Sequence, residues 1–120
     1  MNPIPQSETE FSILTKKMGL IPFVRTSVPQ ACKTFCTNNN IVGYSKNPWD
    51  ESRSCNGSSG GEAGLVAAQC SPIGIGSDIA NSLRGPADFI GLVTLKPYYR
   101  YSNLGSAWTG SYVGGLFLRN

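Results

Sequence analysis

The chain has 120 residues, room for at most one modest domain. Its 10 basic and 7 acidic side chains leave +3 at pH 7, too small a surplus to mark a nucleic-acid surface, and only 14% of residues are charged against about 25% in ordinary soluble domains. Histidine is absent, which excludes a Ser-His-Asp triad, an H-E-x-x-H zinc helix and an imidazole general base. Chemistry near neutral pH would then fall to hydroxyls, carboxylates, lysines or thiols.

In chain order, Ser7-Glu8-Thr9-Glu10 fits a capping box, and Phe11, Leu14 and Met18 follow at helical spacing. Lys16 and Lys17 suit a last helical turn, and Gly19 offers a stop. Leu20-Ile21-Pro22-Phe23-Val24 reads as a short buried strand, with Pro22 marking its start or an irregular edge. Residues 25–56 are rich in turn formers. A Gly/Ser run, Asn56 to Gly61, precedes Glu62 to Gln69, where small apolar residues predict a helix buried on several sides. Ser71 to Ser77 alternates apolar residues with glycine and suits a strand closely approached by other backbone. Asp78 to Arg84 is a loop running into a helix start, and Phe89 to Leu95 reads as another buried strand. From Tyr98 onward no clear period emerges.

Cys32, Cys36, Cys55 and Cys70 form no C-x-x-C pair, and no histidine completes a mixed zinc site, so free thiols and no metal are expected. Residues 1–10 have neither a basic n-region nor an apolar h-region, and no stretch approaches the roughly 20 apolar residues of a membrane helix. The expectation is a cytoplasmic protein. Short buried strands and small-residue helices point to an α/β fold that is unusually apolar for a free-standing domain, as if it were an interior slice of something larger.

Two loops carry the chemistry. A phosphate-cradling loop would need a lysine after its last glycine, but Gly61 is followed by Glu62, whose charge repels phosphate. A serine, Ser82, follows the tight loop from Gly76, where backbone amides could converge as an oxyanion hole requires. Together, NGSSGGEAGLVAAQCSPIGIGSDIANSLRGP resembles the signature of the amidase signature family, G-G-S-S-G-G-E followed by G-x-G-T-D-x-G-G-S-x-R-x-P. Ser58 and Ser82 stand 24 positions apart, the spacing that family shows. Residues 17–32, the Asn47-Pro48-Trp49 tripeptide and Leu95-Lys96-Pro97 extend the likeness over about residues 14–97, and PFVRTSVPQ with NPW looks like the fatty-acid amide hydrolase branch. Residues 98–120 diverge.

The resemblance implies a mixed β-sheet core flanked by helices, here incomplete, and hydrolysis of a small-molecule amide, with fatty-acid amides a guess from the branch. No cofactor, metal or nucleic-acid partner is implied. It matches Ser82 to the nucleophile, Ser58 to the bridging serine of a Ser-Ser-Lys triad, and the amides of Ile79, Ala80, Asn81 and Ser82 to the oxyanion hole. Ser59, Asp78, Arg84 and Lys96 are expected to be structural. Phe23, Cys32 and Phe35 are candidates for an acyl pocket, although core packing is the simpler role.

Three departures bear on activity. The family's lysine lies on a strand upstream of the segment matching Pro22-Phe23-Val24 and has no counterpart here, while Lys16 and Lys17 fall on the preceding helix. The glycine pair before the nucleophile is Ala80-Asn81, and Ala80 would be strained if that position needs a positive φ. The first glycine of the serine loop is Asn56, and the threonine before Asp78 is Ser77. The expectation is an amidase whose triad is incomplete in these 120 residues; the alternatives are a degenerate, non-catalytic relative serving as an interaction remnant, or an incomplete product with no independent fold.

Overall fold

The computed structural model describes residues 10–97 and 114–118, with side chains for 13–97 and 116–118. Helix α1 spans Glu10–Lys17 and carries Lys16 and Lys17 in its last turn. Gly19, at φ +82°, ends it. The Gly19 amide donates to the Lys16 carbonyl and the Leu20 amide to the Thr15 carbonyl, both at 3.0 Å, which satisfies two carbonyls that the helix end would leave bare. The predicted cap at Ser7 lies outside the described residues.

The predicted strand Leu20–Val24 does not form. The segment pairs with no strand among the described residues, and Ile21 and Phe23 stand 84% and 65% exposed. Apolar composition favours burial, but a strand also needs a neighbour for its backbone groups, and no described strand lies beside this segment.

Residues 25–56 hold a one-turn 3₁₀ helix, Gln30–Cys32, and two small antiparallel hairpins. The first joins β1 (Asn38–Asn39) to β2 (Gly43–Tyr44), and the second joins β3 (Lys46–Asn47) to β4 (Asp50–Ser54). Asn39 builds the first turn: its side-chain oxygen accepts from the Ile41 amide at 3.0 Å and the Val42 amide at 2.9 Å. The second hairpin is tied to the end of α3 (Arg84–Ile90). There the Trp49 indole donates to the Ile90 carbonyl at 2.9 Å, and the Asn47 amide group to the Phe89 carbonyl at 3.2 Å.

The centre of the molecule is a three-stranded sheet of β5 (Ile73–Ser77), β6 (Val93–Leu95) and β7 (Gly114–Leu118), in the order β5-β7-β6. Both of its ladders are antiparallel, with Ile73 and Val93 each opposite Leu118. Helix α2 (Gly60–Ala67) packs on β5, β7 and α3, and α3 packs on β6. The α/β expectation therefore holds. Helix α2 starts two residues earlier than predicted, and it buries Gly60, Ala63, Val66 and Ala67 as its small-residue composition foretold. The core is Cys55, Ala63, Val66, Ala67, Leu83, Ala87, Ile90 and Phe117.

Phe89–Leu95 is not one buried strand. Phe89 and Ile90 close α3, and Gly91 at φ +72° lets the Leu92 amide reach the Ala87 carbonyl at 2.9 Å. Only Val93–Leu95 is strand, at the sheet edge, with Val93 and Leu95 exposed. In contrast, the strand in the tail, β7, is the middle strand of the sheet and carries the fully buried Phe117. Large apolar side chains stay on the surface elsewhere, Ile41 at 95% exposed the extreme case, as the low charge fraction suggested. Among the described residues, no helix is long and apolar enough to cross a membrane.

Candidate active site

The serine loop is held from beneath by Thr37, a fully buried residue that the sequence pattern did not single out. Its hydroxyl accepts from the Gly60 amide at 3.0 Å and lies 2.9 Å from the Asn56 carbonyl and 3.2 Å from that of Ser58. Asn56, in place of the family's glycine, sits at φ +64°. Asparagine tolerates this left-handed region better than most residues, and its side-chain oxygen accepts from the Gly57 amide at 2.7 Å. The Asn56 departure is thus compatible with the loop. Gly61 is required for close approach: a Cβ there would run into the backbone of Ser27.

Ser59 is a loop-binding residue, as expected. Its hydroxyl donates to the Ser77 carbonyl at 3.3 Å and accepts from the Ser77 amide at 3.2 Å. Its own amide donates to the Ser82 carbonyl at 3.2 Å. One residue thereby fastens the two serine loops together. Glu62, one turn further along α2, accepts from the Ile75 amide at 3.1 Å and from the Thr26 hydroxyl at 2.6 Å. Ser59 and Glu62 together occupy alternate amides on the outer side of β5, which would otherwise be an open strand edge.

The second loop is organised by Asp78, which has no exposed surface. Its carboxylate accepts from the Leu83 amide at 3.1 Å and the Arg84 amide at 3.2 Å, at the start of α3, and from the Arg84 guanidinium at 3.0 Å through each oxygen. Lys96 adds an ion pair at 3.3 Å. Burial opposes the charge, but the bonds from Arg84, Leu83 and Lys96 outweigh it and hold the carboxyl far below the usual carboxylate range. The structural reading of Asp78, Arg84 and Lys96 agrees with these contacts.

Ser58 and Ser82 line one cleft of about 310 Å³. Ser77, Ile79 and Ala80 line it as well, together with Cys32, Lys33, Thr34 and Phe35. Ser58 is buried to 3% exposure, and Ser82 is half-buried. Three of the four matched oxyanion residues, Ile79, Ala80 and Ser82, therefore border the cleft. Asn81 does not: its carbonyl accepts from the Gly85 amide at 2.8 Å and its side chain packs at Gly85. Neither Ala80 nor Asn81 has a positive φ, so the strain anticipated at Ala80 does not arise. Phe23 is separated from Cys32 and Phe35. It lines a second groove, of about 620 Å³, between residues 20–26 and the α2–β5 face. Lys16 and Lys17 are exposed on α1 and border neither cavity. The described cysteines are all free. Burial pushes the Cys55 thiol up to about 11, which makes it an inert core residue. Among the described residues no cluster could hold a metal ion.

Comparisons of sequence and of fold identify the family. The family model described as Amidase matches residues 2–113. Fatty acid amide hydrolase 1 of Caenorhabditis elegans is 48% identical over 82 residues, which cover 68% of this chain and 14% of that protein. A solved fatty acid amide hydrolase superposes with a TM-score of 0.88 at 36% identity, over 98% of this chain and 22% of its own. The substrate complex of 6-aminohexanoate cyclic dimer hydrolase gives the same TM-score at 33% identity, over 94% and 25%. The chain belongs to the amidase family, in the amidase signature group, with fatty-acid amide hydrolases among its relatives. It spans roughly a seventh to a quarter of the lengths of these proteins.

Proposed function

We propose that the cleft is the nucleophile half of an amide-hydrolysing site, with Ser82 as nucleophile and Ser58 as proton relay. The observation that carries this reading is the placement of Ser58 and Ser82 on one cleft, with their loops joined by the Ser59 amide. The Ser82 oxygen attacks the amide carbonyl and its proton passes through the Ser58 hydroxyl to a neutral lysine. Amides of the Ile79–Ser82 loop stabilise the tetrahedral oxyanion. As the C–N bond breaks, the proton returns through Ser58 to the leaving amine, and water then releases the acyl group from Ser82. In the resembled family this lysine stands on a strand upstream of the segment matching Leu20–Val24, and a lysine so placed would complete the relay. A lysine can serve only if desolvation or neighbouring charge lowers its pKa. Fatty-acid amides are the substrate class suggested by the relatives' names.

A fluorophosphonate, which acylates an activated serine, tests the assignment. In a polypeptide that includes the lysine-bearing strand, Ser82 should be the labelled residue and Ser82→Ala should abolish labelling. In the 120-residue chain by itself labelling should be slower by about 10²–10⁴-fold, the usual contribution of a general base. Labelling at a serine other than Ser82 would contradict the assignment, and equal rates with and without the strand would contradict the role of the lysine.

A further inference from the structure

We propose that Lys33 makes this cleft select amides that also carry a carboxylate. The inference rests on the reading of Ser58 and Ser82 above for the position of the scissile bond, but not for the preference itself. Among the described residues, Lys33 is the one charged side chain on the cleft wall, and no described Asp or Glu lines it. The nearest buried acid, Asp78, lies behind Ser77 and Ile79 and already faces two cations, Arg84 and Lys96. Its negative charge is more than neutralised, so the Ser82 side of the cleft is also backed by surplus positive charge. Glu62 is turned to the other groove, where Thr26 and Ile75 engage it.

The Lys33 wall is held in register with the serines. A Cβ on Gly57 would stand 2.8 Å from the Thr34 carbonyl oxygen and 3.0 Å from the Cys36 nitrogen, so the serine loop lies directly against the backbone that follows Lys33. Phe35, on the same wall and 66% exposed, offers an apolar surface for the chain between the amide and the acid. A lysine is a point charge on a flexible stem, suited to one carboxylate rather than to a fixed bidentate geometry. The ligand class that fits is an N-acyl amino acid or another amide with a free carboxylate several bonds from the C–N bond. Because Lys33 is exposed, the preference is modest and weakened by salt.

Binding of N-hexanoylglycine and of its uncharged methyl ester, followed by calorimetry or NMR titration on the Ser82→Ala chain, tests this without turnover. At low ionic strength the acid should bind about two- to fivefold tighter than the ester. That ratio should fall toward one in high salt and in Lys33→Met, and reverse in Lys33→Glu. Equal binding of the two ligands, no binding of either, or a preference unchanged in Lys33→Met would overturn the proposal. Failure of Ser82 to react with a fluorophosphonate, with the carboxylate preference intact, would count against the hydrolase reading alone.

Discussion

Residues 55–91 and residues 20–26 are both rich in small and apolar side chains, yet the chain treats them oppositely. The first region is closed: Thr37, Ser59, Glu62 and Asp78 satisfy its loop amides, and Val66, Leu83 and Ala87 are sealed beneath. The second runs extended along an open groove with Ile21 and Phe23 exposed. Apolar sequence alone does not make a core; a core also needs a partner for every buried backbone group. The candidate site lies at the closed region, where Thr37, Ser59 and Asp78 hold the serine loops.

If that contrast is sound, the largest loss should follow from Asp78→Ala. It would leave Arg84, Lys96 and two amides at the start of α3 without their shared acceptor, at a cost of about 3–5 kcal/mol in denaturant unfolding. The same carboxylate sets an acid limit. Its folded pKa lies below the unfolded value of about 3.9, so its stabilisation is complete above that pH and is lost as pH falls below it. Acid unfolding of Asp78→Asn should lack this component, as a pH series of melting curves would show. Thr37→Val keeps the shape but leaves the Gly60 amide without an acceptor, and should cost about 1–3 kcal/mol. Ser59→Ala removes one hydroxyl bridging Ser77 and should cost about 1 kcal/mol. In the open region Ile21→Ser should change stability by less than about 0.5 kcal/mol, because the side chain is 84% exposed. An Ile21→Ser loss as large as that of Thr37→Val would erase the distinction between the two regions.

The parts legible in the sequence were those with short-range signals. The small-residue helix and the Gly19 stop follow from residue types at fixed local spacing, and the two serine loops were identified by their resemblance to the amidase signature. Ser71–Ser77 was recognisable as a strand with close neighbours at its glycines, but those neighbours at Gly74 and Gly76 are the side chains of Val66, Glu62, Leu83 and Ser59 rather than the backbone expected. What failed depended on distant partners. Leu20–Val24 has strand composition but no neighbour, and Phe89–Leu95 was divided by a left-handed Gly91 hidden in an apolar run. β7 begins with two glycines, poor strand formers, and is a strand because β5 and β6 flank it. Thr37 could not be found from its surroundings, since its role arises only when the serine loop lies over it.

The central claim is that Ser58 and Ser82 work as one unit in amide hydrolysis. The direct measurement is to place the matching 82-residue stretch into the Caenorhabditis elegans fatty acid amide hydrolase 1 and assay fatty-acid amide hydrolysis, with Ser58→Ala, Ser82→Ala and both together. The account predicts an active chimera in which each single substitution removes most of the rate and the double removes little more than Ser82→Ala. A chimera that retains its rate in Ser82→Ala would contradict it.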